Sequence, residues 1–579
     1  MIRQTILLAA IFLSAVPLNA QIGYGAWKAL TPMPSARQEI STAVFNGRIY
    51  VIAGFTSGGA STSTVELYEP ANNTWTPAGS IPILNNHNNA AVADGALYTF
   101  GGVSNFSYRY NPQTDTWSPV APSQFQHGGT AAVGVINNKI YVAGGNGGTM
   151  MQNEFEVFDP AMNHWTILPA MSVPRNHTAG AVINGKFYVV GGRGSANADT
   201  ALEVYDPATN VWTTLAPMPT GRSGIAVAAV NGQLWVFGGE IPVLHPEVEI
   251  YNPVSNTWRR IQDMRTPRHG IWASVIGNKI YLPAGGIVQG FGATNINEVF
   301  TVANVIGDFD GDGRTDVSVF RPSDGNWYLN QSSSGFASLH WGISTDRIVP
   351  GDYDGDGKTD LAVFRGTDDP SQPDFYILNS SDFTFRFLNW GLASDTPIVD
   401  DYDGDVQDDV AIYRPSTRAW HVLRSSDGTL QGFQGFGPST PVTVDFDGDG
   451  KTDYTRFTGT LWFISQSSQN YQIIGVTFGN QSTDQPVPCD YDGDGRENLA
   501  TYTASTGSWN IRDAVGGVTT RQFGISTDVP VPGDYDGDGK CDVAVYRNGT
   551  WWIDQSTAGL FVTQFGLAGD RPIPNHYLP

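Results

Sequence analysis

The chain has 579 residues, 32 basic and 55 acidic side chains, a net charge of −23 and two cysteines. So few cysteines exclude a disulfide-dense scaffold, and no basic patch points to a nucleic-acid partner. The acidity is local: 23 aspartates stand at the ligand positions of six short loops, and setting them aside leaves 32 acids against 32 bases.

In chain order, residues 1–20 read as a secretory signal. Arg3 gives the positive start, Ile6 to Leu13 the apolar core, and Leu18-Asn19-Ala20 a cleavage end. That apolar stretch is shorter than the ~18 residues of a membrane span, and no later segment approaches that length. No Cys follows the cleavage region. The expectation is an exported chain (secreted, periplasmic or at a cell surface) with neither a lipid anchor nor a transmembrane segment.

Residues 21–303 repeat. The stretches NGRIYVIAG, DGALYTFGG, NNKIYVAGG, NGKFYVVGG, NGQLWVFGG and GNKIYLPAGG each place a turn before alternating apolar residues, which predicts a hairpin. An aromatic and then a Trp follow: Tyr68 and Trp75, Tyr110 and Trp117, Phe158 and Trp165, Tyr205 and Trp212, Tyr251 and Trp258. These residues closely resemble the kelch motif, and the resemblance implies a six-bladed β-propeller. The sixth unit has Phe300 but no following Trp, while Trp27 stands near the amino terminus. The amino-terminal strand is therefore expected to complete the last blade, which removes exposed sheet edges.

Residues 304–579 write one acidic loop six times: DFDGDGRTD, DYDGDGKTD, DYDGDVQDD, DFDGDGKTD, DYDGDGREN and DYDGDGKCD, spaced 44 to 49 residues apart. Carboxylates at loop positions 1, 3, 5 and 9, with Gly at 4 and usually at 6, form an oxygen cage around a tight turn, as Ca²⁺ requires. A merely solvated acidic surface does not account for that spacing. Each unit continues with a strand such as DVSVFRP, a second such as NWYLNQSS, and an aromatic-Gly pair: Trp341-Gly342, Trp390-Gly391, Phe436-Gly437, Phe478-Gly479, Phe523-Gly524 or Phe565-Gly566. These units resemble the FG-GAP/VCBS repeats of integrin-type and bacterial surface propellers. The resemblance implies a second all-β ring, six-bladed here although related rings often have seven, with up to six Ca²⁺. At the carboxy end RPIPNHYLP matches a blade strand, but His576 and Leu578 replace the loop acids, so the ring ends there. Residues 301–307 are too few for a flexible linker, so the rings should touch.

By the resemblance, Asp308, Asp310, Asp312 and Asp316 ligate the first ion, with the Arg314 carbonyl and water. The same assignment gives Asp352, Asp354, Asp356 and Asp360; Asp401, Asp403, Asp405 and Asp409; Asp445, Asp447, Asp449 and Asp453; Asp490, Asp492, Asp494 and Asn498; and Asp534, Asp536, Asp538 and Asp542. The third loop has Val406 where a left-handed Gly is easy, and the fifth has Asn498 for an Asp; both should bind less tightly. Cys489 and Cys541 fall on neighbouring blades, either bridged or as separate thiols.

The first half offers a second set. Arg37, His87, His127, Arg175, His177, Arg222, Arg268 and His269 precede the hairpins and could crowd one mouth of the channel, where a cationic ring suits a carboxylated sugar. The same residues could instead only brace loops. Glu66, Glu156, Glu203, Glu249 and Glu298 each sit two residues before the repeat aromatic, a regularity that argues for structure.

Galactose-oxidase-like kelch enzymes need a Cys joined to a Tyr, and this half has no Cys. There is no HExxH, GxSxG set or GxxxxGK[ST]. The reading is an exported, non-catalytic binding or adhesion protein, stabilised by Ca²⁺, with a glycan or extracellular protein as ligand. Its rivals are a sugar-acting enzyme, since the first ring also resembles that of periplasmic sialic-acid mutarotases, and a passive surface spacer.

Overall fold

The turns of the first half do what their sequence requires. Asn46 and Gly47 both have positive φ (52° and 73°), as do Asp94 and Gly95, Asn184 and Gly185, and Asn231 and Gly232. Two left-handed residues in succession make the tight hairpin whose twist matches the strands it joins. Asn46-Gly47 thus connects Ser41–Phe45 to Arg48–Ile52, and Val65–Glu69 and Thr74–Ala78 complete a four-stranded antiparallel sheet.

The computed structural model describes residues 25–146, 153–196, 199–303, 305–435 and 440–574. The signal at 1–20, the Phe436-Gly437 pair, His576 and Leu578 lie outside them. Among the described residues there is no helix, and hence none able to cross a membrane. The molecule is all-β, built as β-propellers.

Six four-stranded sheets occupy residues 25–302. Their innermost strands, from Ser41–Phe45 round to Ser274–Ile276, neighbour one another in sequence order, and the last lies beside the first. The sixth sheet takes its outer strand, Gly25–Ala29, from the amino end, with Trp27 opposite Phe300. Tyr68 faces Trp75, and Tyr205 faces Trp212, in the same register. Trp27 therefore fills the place that the sixth unit leaves open.

Residues 317–573 form six more four-stranded sheets. Here the carboxy end closes the circle: Arg571–Ile573 pairs with Val317–Arg321, with Ser318 opposite Ile573. Trp327, Trp420, Trp462, Trp509 and Trp551 are fully buried, one to a sheet. A buried indole N–H needs an acceptor, and the aromatic-Gly pair supplies it: Trp327 Nε1 donates to the Trp341 carbonyl at 2.7 Å, Trp509 to Phe523 at 2.8 Å and Trp551 to Phe565 at 2.9 Å.

The two halves touch. Lys279 Nζ donates to the Gly355 carbonyl at 2.6 Å, and Asn252 Nδ2 to that of Gly537 at 3.3 Å. A Cβ added at Gly313 or Gly357 would stand 2.4 Å or 2.6 Å from Asn231 or Asn278. Turns of the first ring thus rest on acidic loops of the second.

Candidate metal centres and the channel of the first ring

In the first acidic loop Gly311 and Gly313 have φ of 79° and 83°, which aims their N–H groups inward. Gly311 donates to Asp308 Oδ1 at 2.6 Å and Gly313 to Oδ2 at 2.7 Å. Asp316 accepts from the amides of Phe309 and Ser332. Asp310 Oδ2 accepts from the amides of Ser333 and Ser334, and Asp312 Oδ2 from the hydroxyls of Ser332 and Ser333. The other oxygen of Asp310 is buried without a partner, as are Asp403 Oδ1 and Asp447 Oδ1 in the corresponding positions. A buried carboxylate oxygen with no donor, beside further carboxylates, costs at least ~1–3 kcal/mol. A hard dication would supply what is missing, and the all-oxygen donor set fits Ca²⁺.

Electrostatics agree with that fit. Burial, reinforced by neighbouring carboxylates, pushes Asp308, Asp360, Asp445, Asp453 and Asp542 up to about 8. The same causes push Asp316, Asp352, Asp409, Asp490 and Asp534 up to about 7. Acids named from the sequence are brought together in the first four loops: Asp308, Asp310 and Asp316, Asp352, Asp354 and Asp356, Asp401, Asp403 and Asp409, and Asp445, Asp447 and Asp453 each offer oxygens within 4.8 Å of one another.

Two cages depart from the pattern as their sequences imply. Val406 is held at φ 72°, a conformation costly for a β-branched residue. Asn498 donates through Nδ2 to Asp492 Oδ2 at 3.1 Å, so an amide N–H occupies an oxygen that an ion would use. A Ser-Ser or Ser-Thr pair after the second strand of five units is also part of the cage. Ser380 and Ser381, Ser425 and Ser426, and Ser556 and Thr557 repeat the role of Ser332 and Ser333. Its signal was the recurrent Ser-Ser of NQSS, LNSS and LRSS; the fifth unit reads IRDA and lacks it.

The six loops form one ring. At position 8 of each, the amide donates to the carbonyl of the first Asp of the preceding loop: Thr359 to Asp308, Asp408 to Asp352, Thr452 to Asp401, Glu497 to Asp445, Cys541 to Asp490, and Thr315 back to Asp534. Position 7 covers the glycine at position 4 of the preceding loop. A Cβ at Gly311, Gly404 or Gly537 would lie within 3.1 Å of Lys358, Lys451 or Arg314. Cys489 and Cys541, left open by the sequence, are joined as a disulfide that ties the fifth loop to the sixth.

The first ring corrects the expectation of a cationic mouth. Arg37, Arg175, Arg222, Arg268 and His127 have no exposed surface. Each pairs with a glutamate of the four-stranded sheet that follows it in sequence: Arg37 with Glu66 at 2.6 Å, His127 with Glu156 at 2.9 Å, Arg175 with Glu203 at 2.7 Å, Arg268 with Glu298 at 2.7 Å, and Arg222 with Glu249. Burial pulls Arg268 down to about 10 against the opposing pull of Glu298. An unpaired guanidinium in that setting is too costly, so these charges are spent within the blades and do not face a ligand.

The remaining candidates do meet at the channel. Glu39, His87, Gly129, His177, Gly224 and Gly270 occupy equivalent places, all with φ between 49° and 64°. Five backbone hydrogen bonds link them round the channel: Glu39 N to Gly270 O, His87 to Glu39, His177 to Gly129, Gly224 to His177 and Gly270 to Gly224. Three glycines leave the space into which three side chains turn. His87 Nε2 lies 3.2 Å from His177 Nε2 and 3.3 Å from Glu39 Oε2. His269 Nδ1 stands 3.7 Å from Glu39 Oε1 and 3.6 Å from Glu240 Oε2. Burial would raise the Glu39 carboxyl, but His87, His269 and His177 together hold it below its usual range. Burial also drives His177 down to about 3. Glu39 and Glu240 carry no repeat signal in the sequence: the places equivalent to Glu39 hold two histidines and three glycines.

Comparison with known proteins follows the two halves. The KLHDC2/KLHL20/DRC7 Kelch-repeats domain matches residues 25–174 and 108–286, and the FG-GAP-like repeat matches residues 308–363. Kelch-like protein terF of Aspergillus terreus is 30% identical over 200 residues, covering 30% of this chain and 43% of that protein. The Kelch repeat and BTB domain-containing protein 1 of cowpox virus is 28% identical over 160 residues, covering 26% of this chain and 28% of that protein. The chain thus spans less than half the length of these curated relatives. The solved structure of YjhT is 18% identical with a TM-score of 0.41, covering 47% of this chain and 97% of that one. The chain is a kelch-repeat propeller followed by FG-GAP-like repeats.

Proposed function

We propose that this chain is an exported binding protein of the adhesion type, whose second ring is held rigid by up to six Ca²⁺ and whose ligand is a glycan or an extracellular protein. The observation that carries the binding role is an aromatic edge on the second ring. Phe385 and Phe387 are 61% and 50% exposed on one outermost strand with their rings 5.2 Å apart, and the Trp341 ring lies 6.3 Å from Phe385. Exposed aromatics clustered on a sheet edge are a recognition surface, able to stack on a sugar or to fill a partner's pocket. The Cys489–Cys541 disulfide supports an oxidising compartment and hence export. At millimolar Ca²⁺ and Kd of about 10⁻⁴–10⁻³ M, each site adds about 0.4–1.4 kcal/mol to the folded ring. The ions' part is structural: bound at Asp308, Asp310, Asp312, Asp316 and their counterparts, they neutralise the loops against which the first ring packs. The rival reading as an enzyme on acidic sugars relied on a cationic mouth, and the buried arginine pairs remove that support.

A glycan array probed with the full chain tests this, in Ca²⁺ and in chelator, beside a Phe385→Ser/Phe387→Ser variant. Binding should depend on Ca²⁺ and fall in the variant; binding indifferent to both would overturn the reading. Silence on every glycan leaves the extracellular protein as ligand.

A further inference from the structure

We infer that the channel of the first ring holds a second kind of metal site, for one divalent transition ion of the Zn²⁺ class, with Glu39, His87 and His177 as its protein ligands. The argument begins with hydrogen positions. His87 Nδ1 lies 2.5 Å from Asn86 Oδ1, and His177 Nδ1 lies 2.6 Å from Asn176 Oδ1. An amide oxygen only accepts, so both rings carry their proton on Nδ1 and present a lone pair on Nε2. Those lone pairs face each other at 3.2 Å, and the Glu39 carboxylate stands 3.3 Å from one of them. With both imidazoles neutral, three acceptors therefore converge, and the hydrogen directed at them comes from Arg193, whose Nη2 lies beside His177 Nε2. Ligand atoms about 2.0–2.1 Å from a tetrahedral ion stand roughly 3.3–3.4 Å apart, so the two measured separations are edges of such a site.

The surroundings are those of a metal ligand set. Each imidazole is oriented by an acceptor on its far nitrogen, as bound histidines generally are. The second oxygen of Glu39 faces His269, a fully buried ring whose Nδ1 has no hydrogen-bond partner and points into the cluster. The Nε2 of that ring contacts the Val288 carbonyl at 3.0 Å, which fixes its plane. Two imidazoles and one carboxylate select Zn²⁺ and its neighbours over Ca²⁺, which takes oxygen ligands. The acidic loops and this cluster should therefore sort two metals on one chain. One cation already competes for the place: Arg193 Nη2 lies 2.5 Å from His177 Nε2, while Nη1 holds Glu240 at 3.1 Å. Its side chain is 36% exposed, so it is free to withdraw toward solvent and to leave an entry path.

The test is Co²⁺ binding to the full chain with the acidic loops saturated by Ca²⁺. The expected result is one Co²⁺ per chain with the visible d–d absorption of a low-coordinate site, displaced by Zn²⁺. His177→Asn and His87→Asn should lose it or weaken it roughly 100-fold, since asparagine tolerates the left-handed backbone there and keeps the fold. Glu39→Gln should do the same without touching either imidazole, and Arg193→Met should bind at least as tightly as wild type. No d–d absorption in wild type, or absorption that survives both Glu39→Gln and a folded histidine variant, would overturn the assignment.

Discussion

Glu203→Ala puts the buried pairs of the first ring to the test. Arg175 and Glu203 have no exposed side-chain surface. The guanidinium donates to Glu203 at 2.7 Å and to the Val189 carbonyl at 3.1 Å, while Glu203 also accepts from the Ser172 amide at 2.8 Å. Removing the carboxylate strands a charge and an amide in the blade, and breaking such a pair from one side costs about 3–5 kcal/mol. Replacing both partners with apolar residues, as Arg175→Met with Glu203→Leu, removes the stranded charge and should recover most of that loss. The assay is equilibrium unfolding of all three variants by urea, followed by far-UV circular dichroism in Ca²⁺. If Glu203→Ala unfolds within about 0.5 kcal/mol of wild type, the charges are not paired inside the blade and the argument against a cationic mouth falls.

Three further outcomes follow from the loops and the core. Val406→Gly relieves a left-handed β-branched residue worth about 1–2 kcal/mol and gives back about 0.4–1 kcal/mol in unfolded-chain freedom. Thermal unfolding in Ca²⁺ should show a small net gain, and a loss would contradict the strain. Asn498→Asp restores the fourth carboxylate and removes the inward amide, so calorimetric titration should show the weakest Ca²⁺ site tightened roughly fivefold or more. Burial raises Tyr68, Tyr502 and Tyr546 to about 12. The unfolded chain ionises them near 10, so their contribution is full below pH 10 and is lost as pH rises toward 12. Unfolding midpoints measured across that interval should fall; a flat profile would refute the burial argument.

Much of the architecture could be read from residues. Trp27 predicted its own place opposite Phe300, because a repeat that lacks one element and a terminus that supplies it define a closure. The cages were legible because Asp308, Asp310, Asp312 and Asp316 stand close in sequence, where spacing and geometry are nearly the same thing. Contacts between repeats were not. Arg175 and Glu203 each carry a repeat signal, yet nothing local says that residues 28 apart form a buried pair, so the sequence alone suits an exposed cationic ring equally well. The position-8 amides and Ser332 with Ser333 were missed for the same reason. His87 and His177, 90 residues apart, meet only because the ring closes.

The central claim is that the acidic loops bind Ca²⁺ and that the second ring depends on it. Differential scanning calorimetry of the full chain, with millimolar Ca²⁺ and then with chelator, tests it most directly. The account predicts that chelation lowers the transition of the second ring by several kcal/mol of stability, six sites at about 0.4–1.4 kcal/mol each, and leaves that of the first ring nearly in place. A thermogram unchanged by chelation in both transitions would contradict it.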